Sequence, residues 1–264
     1  MALYKQIISL VSDFGLKDAS VAIVKGLLFS KLPDVNVIDI NHEIKPFDLP
    51  DAAYFINASC AQFSPKTIHL ILVDIFYSAS PAMILFEANE QYFLCPDNGI
   101  ATQIKCFDPN KVWKCAQFDN SSTFIDWINE SLRIIQVLQT QTDATAQFTP
   151  AISGIIKNHD TTKNTDDTIH CDIVHIDRFE NVVLSCTRSE FDAKGQGRSF
   201  VLHFKQTETI IRLSKSHHEV REGDKLCRFN SNGHLEICIN KGKASTLFGL
   251  RQGSPNNEIK IIFQ

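Results

Sequence analysis

Apolar positions along this chain follow two regimes. Up to about residue 138, short aliphatic runs alternate with stretches in which apolar residues recur at helical spacing. The first run ends in Leu10-Val11 and passes into Ser12-Asp13-Phe14-Gly15, which predicts a buried strand stopping at a polar turn. Gly15 suits that turn, Asp18 stands where a helix cap or first-turn acid belongs, and Val21, Val24, Leu27 and Leu28 predict a helix reaching Phe29. The run over 35–40 reads as a second strand, buried on both faces, followed by a loop ending at Pro46 and Pro50 and a helix over 51–60. A third strand over 68–73 ends at Asp74. Residues 82–87 and 91–95 predict an antiparallel pair that Pro96-Asp97-Asn98-Gly99 stops abruptly, and Phe124, Ile128, Leu132 and Ile135 mark a last helix to about residue 138. This succession implies an α/β N-terminal domain with a largely parallel central sheet and right-handed crossovers. Such sheets hold ligands at the carboxyl ends of their strands, so Asp13 and Asp18 have two readings: ligand groups, or residues that only shape the turn and cap the helix.

From Gln139 the composition shifts to Gln, Thr, Asp and Ala, and residues 159–168 are almost wholly polar. This predicts an N-terminal domain over 1–157, a linker over 158–168 and a C-terminal domain over 169–264. Helical periodicity then disappears. Short strand-like runs over 171–176, 182–186, 198–204, 209–213, 225–229, 235–239 and 258–262 predict an all-β barrel or sandwich of roughly seven strands.

With 264 residues, 44% of them hydrophobic, the chain can build two unequal domains. A net charge of −4 with no basic run argues against nucleic acid as a partner. No apolar stretch approaches the roughly 18 residues of a membrane span, and residues 1–6 are too short and weakly basic for a secretion signal, which predicts a soluble cytoplasmic protein. The eight cysteines show no CxxC spacing, so neither a zinc motif nor a disulfide framework is expected. They fit free thiols in a reducing compartment. The adjacent His217 and His218 diverge on either a strand or a helix, and no HxxxH or HxH pattern occurs, so no metal is expected.

Six short motifs in order span nearly the whole chain: Ser12-Asp13-Phe14-Gly15 with Asp18 and Lys25-Gly26; Ile38-Asp39-Ile40-Asn41-His42 with Pro46; Val73-Asp74; Pro96-Asp97-Asn98-Gly99; Ile176-Asp177-Arg178-Phe179 with Asn181; and Gly233-His234-Leu235-Glu236-Ile237 with Asn240. In these the chain resembles the S-adenosyl-L-methionine (SAM) hydroxide adenosyltransferases, a family that includes SAM fluorinases and chlorinases. The resemblance implies SAM or adenosine as the bound molecule, SAM being substrate or ligand with no separate cofactor. It implies that Asp13 accepts from the ribose hydroxyls, that Asp18, Ser20 and Asp177 surround the methionine head, that Asn181 reads the adenine edge and that Phe47 packs against the ligand. Ser231 and Asn232 fall in the stretch that meets the methionine carboxylate. It further implies a homotrimer with each site between subunits. Beside these roles stand plainer ones: Asp177 and Asn181 as a turn between strands, Phe47 as core, Lys25 as a solvated or capping lysine, and the Pro-Asp-Asn-Gly turn as architecture.

Attack at the ribose C5′ of SAM needs a nucleophile in line with a sulfonium that leaves unprotonated, so positioning outweighs acid catalysis. Water-using members resemble this chain at Asp74, which implies a carboxylate that orients water and takes its proton. A carboxylate beside a halide costs several kcal/mol, so Asp74 argues against halogenation. The match fails nearby. The arginine and histidine that hydrolytic members pair with this acid fall here at Pro81 and Ile125, the arginine near the methionine carboxylate falls at or near Asn232, and His217 lies roughly where an adenine-stacking aromatic occurs. Two expectations follow: a SAM hydrolase that uses new helpers such as Tyr77, Ser78 or Asp126, or an inactive SAM- or adenosine-binding protein of the same fold.

Overall fold

The computed structural model describes residues 5–141, 144–151, 167–205, 207–254 and 256–264. They fall into two compact units that divide after residue 157. The expected linker over 158–168 lies, up to residue 166, outside the described residues.

Unit 1 is built on a seven-stranded sheet. Its strands are β1 (Gln6–Ser12), β2 (Val35–Asn41), β3 (Ile68–Leu72), β4 (Ala82–Ala88), β5 (Gln91–Pro96), β6 (Val112–Gln117) and β7 (Thr149–Pro150), in the spatial order β2-β1-β3-β5-β4-β6-β7. The first four of that order run parallel and the remaining pairs are antiparallel. Alternation along the strands divides the core in two. Ile8, Leu10, Leu70 and Leu72 point to one face, where they meet Val24 and Leu28 of α1 (Ser20–Lys31) and Trp127, Ile128 and Leu132 of α3 (Phe124–Thr140). Val11, Ile71 and Val73 point to the other face, against Leu49, Ala52 and Ile56 of α2 (Leu49–Ser59). Each such fully buried aliphatic side chain contributes about 1.5–3 kcal/mol, so these stripes hold the helices to the sheet.

Helix boundaries follow local chemistry. The side chain of Asp48 accepts from the amide of Asp51 to cap α2, and Pro50 occupies the first turn, where a missing N–H costs nothing. Thr123 and Asp126 form a capping box at α3. Helix α1 starts one residue beyond the expected cap: Ala19 is its N-cap, and Asp18 accepts from the amide of Ser20 at 2.9 Å. Strand β2 corrects an expectation. Its run reads as buried on both faces, yet of its residues only Val35 is buried, because the strand lies at the sheet edge.

Unit 2 contains two four-stranded antiparallel sheets. One has the order β13-β14-β10-β9, from β9 (Ile173–Ile176), β10 (Val182–Thr187), β13 (Lys225–Phe229) and β14 (His234–Ile239). The other has the order β12-β11-β15-β8, from β8 (Thr168–Cys171), β11 (Phe200–Phe204), β12 (Glu208–Ile210) and β15 (Ile259–Phe263). Both sheets contribute to one core, with Leu184, Leu235 and Ile237 from the first and Leu202, Phe204 and Ile261 from the second. The single run expected over 171–176 is two strands in different sheets, broken at exposed Asp172, whose amide donates to Ser185 Oγ. Two short helices also depart from the all-β expectation, α4 (Arg188–Gly195) and α5 (Ala244–Phe248). Among the described residues, no helix is long and apolar enough to cross a membrane.

Candidate active site

The carboxyl ends of β1, β3 and β5 are followed by Asp13, Asp74 and Asp97, so three adjacent parallel strands deliver three carboxylates to one edge of the unit 1 sheet. Asp13 organises that edge. Its Oδ2 accepts from the amide of Phe47 and from the amide of Asp74, each at 3.1 Å. One oxygen thereby fastens the loop before α2 and the end of β3 to the end of β1. No described residue donates to Oδ1, which leaves that oxygen for hydroxyl donors such as those of a ribose.

Both residues held by Asp13 have left-handed backbone, φ 64° at Phe47 and φ 49° at Asp74. A bulky side chain pays strain there, and such strain persists where the surroundings impose it and clusters at functional sites. Phe47 is 72% exposed, so it is not core and its ring is available to a ligand. Asp74 is braced from below as well. The side-chain amide of buried Asn98 donates to the carbonyls of Val73 at 3.0 Å and Asp74 at 3.3 Å, while its oxygen accepts from the amide of Ile100. The Pro-Asp-Asn-Gly turn is therefore architecture in direct service of Asp74.

A chain of side chains, buried at Ser12 and His42 and reaching the surface at Asp39 and Lys25, lies behind the first turn. Ser12 Oγ lies 2.7 Å from Nδ1 of His42, and the carbonyl of His42 accepts from the amide of Gly15 at 2.7 Å. Nε2 of His42 lies 3.1 Å from Asp39, off the line of a hydrogen bond, and Asp39 also pairs with Lys25 at 2.5 Å. Burial opposes charge on Asp39, but Lys25 and His42 outweigh it and leave the carboxyl below its usual range. Lys25 thus has an ion-pair partner rather than a purely solvated role. Its partner lies fourteen residues on, across a helix-to-strand connection, a separation that local pattern does not reveal.

The remaining sequence candidates separate clearly. Asp18, exposed, bonds to both the backbone and the side chain of Ser20, which lowers its pKa; the pair shapes the entry to α1. Of the expected helpers, Tyr77 lies near the strand-end acids. Burial raises its phenol above the ordinary value, Asp97 and Asp74 push the same way, and its oxygen accepts from the amide of Ala82. The hydroxyl of Ser78 accepts from Ser80, and Asp126 is engaged in the capping box of α3. Pro81 and Ile125 stand where an arginine and a histidine were expected; Ile125 is 41% exposed on the first turn of α3. A separate shallow cleft of about 560 Å³ runs between β6 and α3, lined by residues that include Gln117, Glu130 and Arg133.

In unit 2, Asp177 and Asn181 form the hairpin between β9 and β10. Asp177 Oδ1 accepts from the amides of Phe179 and Asn181, and Oδ2 accepts from the Asn181 side chain, all at 2.9 Å. Both carboxylate oxygens are thus engaged within the turn, as its plainer reading expects, while the oxygen of the Asn181 side chain faces away from that bond. Ser231 and Asn232 lie in the β13–β14 hairpin, where Asn230 accepts from the amides of Asn232 and His234.

The family models settle what this arrangement belongs to. The SAM hydroxide adenosyltransferase N-terminal domain matches residues 8–130, and the C-terminal domain of the same family matches residues 171–256. The chain belongs to the SAM hydroxide adenosyltransferase family. Within it, the chain is 27% identical to the (R)-S-adenosyl-L-methionine hydrolase of Methanocaldococcus jannaschii, across 97% of this chain and 96% of that one. It is 23% identical to the hydrolase of the same name from Thermus thermophilus, across 93% and 96%. Likeness to the fluorinase of Nocardia brasiliensis is higher, 44%, but is confined to 20% of this chain and 17% of that one. An uncharacterized conserved protein from Thermotoga maritima has the same fold, with a TM-score of 0.79 at 20% identity over 97% of this chain and 99% of that one. End-to-end likeness therefore lies with the hydrolases of the adenosyltransferase family, and likeness to halogenating members is local.

Proposed function

We propose that this adenosyltransferase-family protein hydrolyses SAM to adenosine and L-methionine, with Asp74 as the base. A water oxygen forms the new bond to C5′ of the ribose, the C5′–S bond breaks with its electron pair going to sulfur, and Asp74 takes the water proton. The observation that carries this reading is the grip of one Asp13 oxygen on the amides of Phe47 and Asp74. It gathers an acid for the ribose, an exposed aromatic and a candidate base within one strand-end cluster. Tyr77, placed beside the acids, is the helper that replaces the arginine and histidine of other hydrolytic members. The full-length likeness to SAM hydrolases supports the same reaction, and a carboxylate at position 74 speaks against halide chemistry.

In this reading Asp18, Ser20, Asp177, Asn181, Ser231 and Asn232 complete the substrate site, the assembly is a homotrimer with sites shared between copies, and the enzyme is cytoplasmic. Eight free cysteines support a reducing compartment. The deciding experiment is incubation of the purified protein with SAM and chromatographic separation of the products. Adenosine and methionine appearing in equal amounts are expected. SAM that stays intact while still raising the melting temperature would replace hydrolysis with binding alone, the reading favoured by Ile125 and Pro81 at the two lost positions.

A further inference from the structure

Strand β14 sends Leu235, Ile237 and Ile239 into the core of unit 2, so Glu236 and Cys238 share the opposite face, one above the other. That face is nevertheless buried: Glu236 is 4% exposed and Cys238 is fully covered. A third donor reaches it from the short turn His217–Glu219, which has no buried residue. The donor atoms of His217, Glu236 and Cys238 all lie within 4.8 Å of one another.

We propose that His217, Glu236 and Cys238 form a binding site for a divalent ion of the zinc class. Zinc takes nitrogen, oxygen and sulfur at roughly 2.0–2.3 Å with tetrahedral geometry, which sets donors roughly 3.5 Å apart. The donors lie within 4.8 Å of one another, so binding the ion draws them inward. The donor set is chemically selective, since thiolate and imidazole favour zinc over the hard cations that need all-oxygen cages. Neighbouring charge fits too. Arg228 lies 3.1 Å from Oε1 of Glu236, off the line of a hydrogen bond, and Asn230 also bonds to the carboxylate, so both neighbours support it as an anionic ligand. Asp177 is close enough to act electrostatically on all three donors. With the ion bound, the negative charges of Glu236, Asp177 and the Cys238 thiolate are matched by Arg228 and the two charges of the metal.

Binding is a ligand exchange without redox change. The Cys238 thiol, which donates to Glu236 in the absence of metal, loses its proton to solvent as the metal–sulfur bond forms. The exposed turn carrying His217 is the side from which the ion enters. No sequence pattern signals the site, because one donor is nineteen residues from the next and the other two sit on alternate positions of a strand.

The test uses the full-length, reduced and chelator-treated protein, titrated with Zn²⁺ alone against a chromophoric chelator and then with Co²⁺. One ion per chain is expected, with a thiolate-to-cobalt charge-transfer band. Cys238→Ala should abolish the band, His217→Ala should weaken affinity at least about tenfold, and Cys115→Ala should change neither. Should Cys238→Ala misfold, His217→Ala decides, since that turn carries no core residue. A band that survives Cys238→Ala, affinity unaltered by His217→Ala, or no uptake by the parent protein would overturn the site. SAM takes no part in these measurements, so their outcome is separate from that of the hydrolase reading.

Discussion

Asp13 and Asp177 both accept backbone amides, but they do different things with them. Asp13 uses one oxygen to join amides 34 and 61 residues away and keeps the other open. Asp177 spends both oxygens on its own hairpin, two and four residues away. The first is a long-range clamp that gathers three loops at one end of the sheet. The second is a local brace within a single turn. A carboxylate in a sequence motif thus tells little about its role until the span of its bonds is known.

The largest effect separates the strand-end cluster from the hairpin by chemistry. Asp74→Asn keeps shape and most hydrogen-bonding capacity but removes the base, so turnover of SAM should fall roughly 10²- to 10⁴-fold with little change in SAM affinity. Asp177→Asn should cost affinity instead, and steady-state kinetics on both variants distinguishes them.

Asp13→Ala should lower affinity for adenosine at least about tenfold, and should also destabilise the ligand-free protein by about 3 kcal/mol as two amides lose a charged acceptor. Deoxyadenosine should show the affinity loss much less, since part of the ribose contact is already gone. Equal losses for both nucleosides in calorimetry would reduce Asp13 to the clamp alone.

A titration should single out unit 1. Burial pushes His69 down to about 4 from 6.5, and it sits between Ser9 and Gln91. The unfolded chain takes up this proton first, so the contribution is complete above pH 6.5 and is lost as pH falls toward 4, about 3 kcal/mol in all. Urea midpoints measured across that window should drop for the parent protein and much less for His69→Gln. A similar slope in both proteins would place the sensitivity elsewhere.

The smallest effect belongs to the hairpin. Asp177→Ala should destabilise unit 2 by about 1–2 kcal/mol, because the bonds it removes are local and the turn meets solvent. A loss as large as that of Asp13→Ala, read by the same denaturation, would erase the distinction between clamp and brace.

Much of this was legible in the chain. Aliphatic runs located β1, β3, β4 and β5, and helical spacing located α1, α2 and α3. Strand β6 escaped because Trp113, Lys114, Cys115 and Gln117 mix polar and apolar residues near the sheet edge, where one side need not be buried. Helix α4 escaped because it buries only Phe191 and Gly195. The motif residues were legible as types, and Asp74, Asp13 and Phe47 do gather at one sheet edge. What a sequence could not supply was the joining of Asp13 to Phe47 and Asp74, since topology alone sets those distances. The capping roles of Asp126 and Asp48 were within reach, because each lies three residues from its partner.

The shared acceptor at Asp13 also makes the site's loops exchange-coupled. The amides of Phe47 and Asp74 belong to different elements, yet both are shielded by the same oxygen atom. Their replacement by deuterium is therefore expected as one event with one protection factor, set by the opening of a carboxylate rather than by the stability of either loop. Two probes distant in the chain then report a single microscopic motion, and a ligand that strengthens the grip of Asp13 slows both by the same factor.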